Sequence, residues 1–372
     1  MKVAFHTDQL WFSAPGGIGT YVRELASALA AMDEGPELVT FQVGPHPESA
    51  DPPDVEVPGS IRSLYPRWAL TARPLLPAPL HACDLVHATN HAAIPPAAEG
   101  KGLVVTVHDL AFDVFPEAFP PMWRWLYRAG VRAAARRADV ILVPSRSTAN
   151  DLQDRHGVAP ERIRVTPLAS ALPATQRDVG EVLGRTGIER PYVLCPATLE
   201  PRKNQVRLIR AYRQVAPEVP HALVLAGPDG WSVGEVDREL SRPGPGRVVR
   251  TGWLNRQDLD ALYRGADAVA YVSLYEGFGL PVVEAMQRGV PVLGSTTAAV
   301  ADTAGEAALL VEPTEVSAIA EGLAQILEDE SLREDLVQKG RGRSSTFSWM
   351  QTARATLDAY HDAGRGVGGL RT

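Results

Sequence analysis

The chain has 372 residues, 45% of them hydrophobic and 22% charged, with a formal net charge of −7. This is the composition of a globular protein long enough for two cores, and the acidic balance argues against a nucleic-acid partner. Two cysteines, Cys83 and Cys195, exclude a disulfide framework or a cysteine zinc cluster and make the cytosol the natural compartment. The opening "MKVAFHTDQL" reads as a first strand rather than a signal peptide. No run of about 18 apolar residues stands out as a membrane span.

In chain order, short β-branched runs alternate with helical patterns. "KVAFHT" (2–7) precedes the helical "TYVRELASALAAM" (20–32), and "LVTFQV" (38–43) follows. "LVVTVHD" (103–109) and "DVILVPS" (139–145) flank a long helical segment, and "RIRVTPL" (162–168) closes the first half. After a polar stretch near 172–190, "PYVLCPAT" (191–198) restarts the alternation. "HALVLAG" (221–227), "RVVRTGW" (247–253), "DAVAYVS" (267–273), "VPVLGS" (290–295) and "ALLVEP" (308–313) continue it. Continuously apolar strands between helices indicate parallel sheets buried on both faces. There are too many strands for one open sheet, so the expected fold is α/β with two doubly wound Rossmann-like domains. Their expected bounds are 1–175 and 185–348, with a helix and tail over 349–372.

Five segments carry chemistry. "SLYEGFGLPVVEAM" (273–286) places Glu276 and Glu284 eight positions apart around a glycine–proline break. Gly277 and Gly279 disfavour a continuous helix and Pro281 suits a first helical position, so Glu276 belongs to a loop and Glu284 to the first turn of a helix. The free amides of that turn form an anion site. Acids beside an anion site fit a ligand that has both hydroxyls and phosphates.

"ATLEPRKNQVRLIRAY" (197–212) ends a strand at Thr198 and then brings Arg202 and Lys203 to a helix start, which suits a diphosphate. The alternative is a solvated basic loop. "APGGIGTYVREL" (14–25) opens a helix with Gly16 and Gly17, whose missing side chains let backbone approach a phosphate or sugar; the spacing is not a dinucleotide fingerprint. In "VHDLAF" (107–112), His108 lies just past a strand's carboxyl end, where doubly wound folds hold ligands, although a lone histidine is more often structural.

In "PPMWRWLYRAGVRAAARRAD" (120–139), Arg124, Arg128, Arg132 and Arg136 recur every four residues beside Trp123 and Tyr127. The 121–138 helix could rest on anionic lipid, or it could be a plain surface helix. The acid pair "DLD" (258–260) after Asn255 reads as a helix's first turn, not a metal site.

Taken together, "SLYEGFGLPVVEAM" resembles the E-x7-E signature of retaining GT-B glycosyltransferases of family four. "GGIGTY", "EPRKN", "RGVPVLGS" and "AGEAALLVEP" (304–313) occur in that family's order over nearly the whole chain. "ATLEPRKN" is most similar to bacterial transferases that build polysaccharide or glycoconjugate chains, often from GDP-mannose. The resemblance implies two Rossmann-like domains whose parallel sheets face across a cleft, with the last helix crossing back to the N-terminal domain and Trp349 packed there.

It also implies a nucleoside-diphosphate sugar, GDP-mannose or a UDP- or TDP-hexose, as donor substrate, with no cofactor and no metal. The implied acceptor is a hydroxyl of a glycan, a lipid-linked or a small molecule, met in the cytoplasm or at the inner membrane face. Matched by position, Glu284 binds ribose hydroxyls, and Glu276 faces the sugar and diphosphate with the amides of Phe278, Gly279 and Leu280. Arg202 and Lys203 hold the diphosphate, Gly16 and Gly17 approach it, His108 lies by the donor sugar, and Trp253 and Leu254 line the base pocket. Thr198 stands where many members carry arginine, and Asp302 where glutamate is common. Thr198 therefore leaves more phosphate charge to Arg202 and Lys203. The segment 60–80, mixed aromatic, basic and apolar, is a candidate lining for the acceptor side.

The expected reaction is a retaining hexosyl transfer by same-face attack. A glycosidase would also use two carboxylates but needs no basic clamp. A sugar-nucleotide epimerase of the same fold would interconvert donors without an acceptor. A non-catalytic nucleotide-sugar binding protein would bind without turnover.

Overall fold

The computed structural model describes residues 1–12, 16–45, 52–230 and 233–369. The "APGGIGTYVREL" motif's first two residues, Ala14 and Pro15, lie outside them. The chain forms two compact units, Met1–Leu168 with Ser348–Thr372, and Ala169–Phe347.

The first unit holds seven parallel strands: β1 (Lys2–His6), β2 (Glu37–Val43), β3 (Val55–Val57), β4 (Leu85–Ala88), β5 (Gly102–Thr106), β6 (Val140–Val143) and β7 (Ile163–Val165). Their order is β3-β2-β1-β4-β5-β6-β7. β4, β5 and β6 are buried at every position, as central parallel strands covered on both faces must be. One face packs against the helices Ile61–Thr71 and Pro121–Arg137, which contribute Tyr65, Trp68 and Leu126 to its core. Segment 60–80 thus buries its aromatics, and Leu70 (64% exposed) and Leu75 (46%) are the large apolar side chains it presents outward.

The helices Gly16–Ala30 and Trp349–Gly369 pack against each other, and the second of them lies along β4–β7. A buried polar chain ties these elements together. Tyr21 bonds Thr106 at 2.9 Å, Thr106 bonds His87 Nε2 at 2.8 Å, and His87 Nδ1 bonds the Tyr360 hydroxyl at 2.7 Å. Burial pushes the His87 pKa down to about 3, so its ring is neutral and serves as a structural strut. The Arg164–Asp362 pair at 2.9 Å holds the same final helix to β7. Trp349 lies 6.4 Å from Tyr21 between ring centroids, so the last helix belongs to the first unit from its first residue.

The second unit holds six parallel strands: β8 (Tyr192–Pro196), β9 (Ala222–Ala226), β10 (Val248–Gly252), β11 (Ala268–Tyr271), β12 (Val292–Ser295) and β13 (Leu309–Val311). They run in the order β10-β9-β8-β11-β12-β13. Leu208, Tyr212, Ile319 and Leu323 fill one face; Tyr263, Val282, Met286 and Val300 fill the other. The segment leading into this unit is fastened by arginines. Arg288 Nη2 donates to the carbonyls of Leu172 at 3.0 Å and Pro173 at 3.1 Å.

The two acids of "DLD" belong to this scaffold. Asn255 caps the helix Arg256–Gly265, its side chain accepting from the Asp258 amide at 2.9 Å. Asp258 pairs with Arg177 and Arg185, and Asp260 with Arg264 and Arg288. Each buried carboxylate is met by two guanidinium groups, which is how a buried acid is compensated.

Both sheets reverse strand order beside their first strand, at β1/β4 and at β8/β11. Loops leaving the carboxyl ends of such neighbours diverge to opposite faces and open a crevice, where doubly wound folds bind ligands. In the second unit those loops are 197–204 and 272–279. No helix of the described residues is long and apolar enough to cross a membrane.

Candidate active site

The loop after β8 is built to hold two cations still. Pro201–Lys203 makes a single 3-10 turn, and Asn204 ends it in a left-handed conformation (φ 64°) before the helix Gln205–Val215 begins. The Asn204 side chain donates to the carbonyls of Val272 at 3.0 Å and Pro313 at 2.7 Å. Gln205 Nε2 donates to the Thr198 carbonyl at 2.8 Å, and the Leu274 amide to the Arg202 carbonyl at 2.8 Å. The β8 loop is therefore bonded directly to the β11 loop.

Across that seam three charges meet. Lys203 Nζ donates to Glu276 Oε1 at 2.6 Å and to the Tyr271 hydroxyl at 3.0 Å. Arg202 Nη1 donates to Glu276 Oε2 at 3.1 Å, and its Nε pairs with Glu200 at 2.8 Å. The Lys203 and Glu276 side chains are only 11% and 7% exposed. Burial by itself would raise the Glu276 pKa, but Lys203, Arg202 and the bonds from Lys203 and Tyr271 outweigh it and hold the carboxyl at about 2. Lys203 is shifted down by burial and by Arg202 beside it, more than Glu276 and Glu200 restore. The cluster is thus a desolvated pair of cations that share the Glu276 carboxylate, with Glu200 on the far side of Arg202, an arrangement that costs free energy to assemble. An anionic ligand can take over the carboxylate's part.

After Glu276 the chain turns sharply. Gly279 caps the helix Leu280–Gln287 with φ 101°, a conformation that favours glycine. The helix starts at Leu280 with Pro281 in its first turn, so Glu284 is the fifth helical residue and falls in the second turn, not the first. Gly279's positive φ brings the helix start one residue forward. The Phe278 carbonyl accepts from Thr303 Oγ1 at 2.6 Å, and its ring meets Phe347 edge-on at 5.5 Å between centroids. Phe278, Gly279 and Leu280 thereby form a fixed helix entrance with its positive dipole end toward the Glu276 loop. Glu284 does not join the Lys203 cluster; its Oε2 accepts from the Tyr263 hydroxyl at 2.7 Å.

The other expected residues fall as follows. Thr198 lies in the β8 loop, and its carbonyl anchors Gln205. Trp253 is 71% exposed beyond β10, while Leu254 is half-buried against the apolar layer that contains Tyr263. In the first unit, Gly16 has φ 58° and a side chain added there would meet open space, so its backbone conformation, not crowding, asks for glycine. Gly17 is exposed at the same helix start. His108 Nε2 donates to the Thr89 carbonyl at 2.8 Å, its ring packs edge-on against Tyr21, and burial lowers its pKa. The neutral ring therefore keeps Nδ1 as its acceptor nitrogen. Sequence reasoning missed Tyr271, Tyr263, Glu200 and Asn204. Tyr271, at the end of β11, closes the same short segment as Glu276 and could have been found from that position; Tyr263 lies on another helix with no local pattern linking it to Glu284.

Residues 15–169 match the family model described as Glycosyltransferase Family 4, and residues 185–343 that described as Glycosyl transferases group 1. A D-inositol 3-phosphate glycosyltransferase of Salinispora arenicola is 30% identical over 94% of this chain and 87% of its own. The chain belongs to the family 4 glycosyltransferases. Among other relatives of this glycosyltransferase, an O-antigen chain mannosyltransferase B of Escherichia coli is 29% identical over 97% of this chain and 99% of its own. Among solved structures, Anabaena HepE in complex with UDP-glucose superposes with TM-score 0.73 at 20% identity, covering 96% of this chain and 98% of the other. The fold is GT-B, and the enzyme is a hexosyltransferase.

The Lys203–Glu276–Arg202 cluster makes one prediction for the nucleotide-free glycosyltransferase. Glu276→Gln takes the carboxylate from the buried Lys203 and leaves Arg202 to Glu200 alone, which costs about 3 kcal/mol of stability in urea denaturation at pH 7. Because the folded carboxyl titrates at about 2, below its ordinary 4.5, its contribution is complete above about 4.5 and fades as pH falls towards 2. The gap between wild type and variant must therefore close in acid; a gap that is absent at pH 7 or unchanged at low pH contradicts the cluster's role.

Proposed function

We propose that this glycosyltransferase moves a hexosyl unit from a nucleoside-diphosphate sugar to a hydroxyl of a glycan or lipid-linked acceptor, with retention of anomeric configuration. GDP-mannose is the first donor to try, since curated relatives along the full chain include mannosyltransferases; UDP- and TDP-hexoses are the alternatives. The observation that carries the reading is the convergence of Lys203 and Arg202 on one buried anion at the β8/β11 reversal. Departure of a nucleoside diphosphate leaves negative charge on a phosphate oxygen. Two desolvated cations and a helix N-terminus stabilise such charge strongly, because little reorganisation is needed as it develops.

In the proposed reaction the diphosphate takes the place of Glu276 on Lys203 and Arg202, and the carboxylate turns to the sugar's hydroxyls. The C1–O bond to phosphate breaks, C1 becomes oxocarbenium-like, and the acceptor oxygen bonds to C1 on the face the diphosphate leaves. The acceptor's proton passes to a phosphate oxygen, so no side chain is the obligatory base and no metal is invoked. In the first unit His108, neutral, has Nδ1 as an acceptor suited to a sugar hydroxyl. Lys203→Ala is expected to lower kcat roughly 100-fold with a smaller change in donor KM. Proton NMR of the product tests the stereochemistry: the donor's anomer is expected, and an inverted product or a glycosyl ester trapped on Glu276 would sink the same-face route.

The same reading extends to peripheral contact with an anionic membrane. On the first unit a groove of about 430 Å³ is lined by Leu70, Trp125 and the four arginines Arg124, Arg128, Arg132 and Arg136. Met122 (68% exposed), Leu70 (64%) and Trp125 (43%) stand out beside them. Apolar side chains set among cations favour an acidic lipid interface over water. Co-sedimentation with phosphatidylglycerol vesicles is expected, weakening with salt and with Arg132→Glu/Arg136→Glu. Equal binding to neutral phosphatidylcholine, or none to either, contradicts it.

A further inference from the structure

Tyr263 is a fully buried residue of the apolar layer beneath β8 and β11, on the helix Arg256–Gly265. Its ring could be replaced by phenylalanine without loss of packing. A hydroxyl there must find a partner, since a buried polar group left unbonded is costly. Another tyrosine of the same layer, Tyr192, satisfies its hydroxyl on a backbone carbonyl, that of Leu262, at 2.7 Å. Tyr263 instead donates to a carboxylate, Glu284 Oε2, also at 2.7 Å, on the separate helix Leu280–Gln287. Glu284 itself is half-buried and so reaches from the layer towards the surface.

We propose that Tyr263 is a positioning residue for donor binding: it pins Glu284 Oε2 so that Oε1 is presented, in one rotamer, to the two adjacent hydroxyls of the nucleotide's ribose. The proposal rests on Glu284 being the ribose carboxylate and on a GDP or UDP donor, since a thymidine nucleotide has no 2′ hydroxyl. A free glutamate side chain would have to be ordered at each binding event; one already bonded at one oxygen is ordered in advance. A carboxylate oxygen held opposite a vicinal diol also discriminates against a ligand that lacks one hydroxyl, because the site's polar group is then left unpaired. Tyr263 thus becomes a determinant of ribose over 2′-deoxyribose.

The charged surroundings fit this role. Burial raises the pKa of Glu284, opposed by the Tyr263 bond, by Arg288 just past the end of its own helix and by Arg256 on that of Tyr263. Of the packed neighbours, the helix Glu330–Ser344 places Arg341 beside Gly289, and the helix Ala298–Ala304 carries the exposed Asp302. Losing the tyrosine hydroxyl therefore also makes Glu284 easier to protonate, and affinity falls as pH drops through its titration.

The experiment compares Tyr263→Phe, Tyr192→Phe and Glu284→Gln in the full chain. Titration calorimetry with GDP, UDP and the 2′-deoxy form of each, repeated across pH, is combined with donor kinetics and a check of melting temperature. Tyr263→Phe is expected to weaken binding of the ribonucleotide that wild type prefers about fivefold, with kcat nearly unchanged. It is also expected to narrow the ribo-to-deoxy ratio and to move the acid limb of binding to higher pH. Tyr192→Phe should keep the wild-type affinity, ratio and limb. If Glu284→Gln weakens binding while Tyr263→Phe does not, the positioning role is wrong and the ribose carboxylate stands. If Tyr192→Phe matches Tyr263→Phe, the effect is packing and the positioning role is wrong. If Glu284→Gln binds like wild type, the ribose assignment itself fails and takes the proposal with it.

Discussion

The second unit is organised around one desolvated contact: the Lys203 ammonium and the Arg202 guanidinium sharing the Glu276 carboxylate. Charges brought out of water this far must be paired, and a pair held in fixed geometry needs a fixed frame. The frame is visible in the bonds around it. Asn204 bonds the carbonyls of Val272 and Pro313, and Leu274 bonds that of Arg202, so loops from three strand ends are tied to one another. Sheet order explains why the cluster sits here. The β8/β11 reversal brings together two loops that are more than 70 residues apart in sequence, and it does so at the strands' carboxyl ends.

The first unit fastens its first and last helices with neutral groups. Its reversal lies at β1/β4, and a line of hydroxyls and the uncharged His87 joins β4 and β5 to the first and last helices. The last helix of the chain is part of that unit's core. At the β1/β4 reversal itself the buried Asp8 carboxylate lies 3.1 Å from His6 and accepts from the Tyr65 hydroxyl and the Val43 amide, so each unit keeps an acidic group at its reversal. Family membership and the relatives' activities agree with a glycosyltransferase.

Much of this was legible in the sequence, for physical reasons. Eleven of the strands are apolar β-branched runs with helical patterns between them, the usual signature of parallel strands buried on both faces. β4, a central strand, was not legible: Leu85–Ala88 is four residues long, includes His87, and follows the turn-like "HACD". Its histidine is paid for by Thr106 and Tyr360, partners that no local window contains. β3 was missed because three residues carry almost no periodicity. Segment 60–80 was assigned no element, for the opposite reason. Its arginines and Pro66 masked a helix whose Tyr65 and Trp68 face inward.

For the site, the cations and both glutamates could be found because short segments carry them. What could not be found is the company they keep: Tyr271 on Lys203, Tyr263 on Glu284, and the separation of Glu284 from the Lys203 cluster. The central claim is that Lys203 and Arg202 exchange Glu276 for the donor's diphosphate. A crystal structure of the enzyme with GDP or UDP bound tests it most directly. Phosphate oxygens within hydrogen-bond distance of Lys203 Nζ and the Arg202 guanidinium, with Glu276 turned away from both, are the expected result; a diphosphate bound elsewhere, with Lys203 still on Glu276, would contradict it.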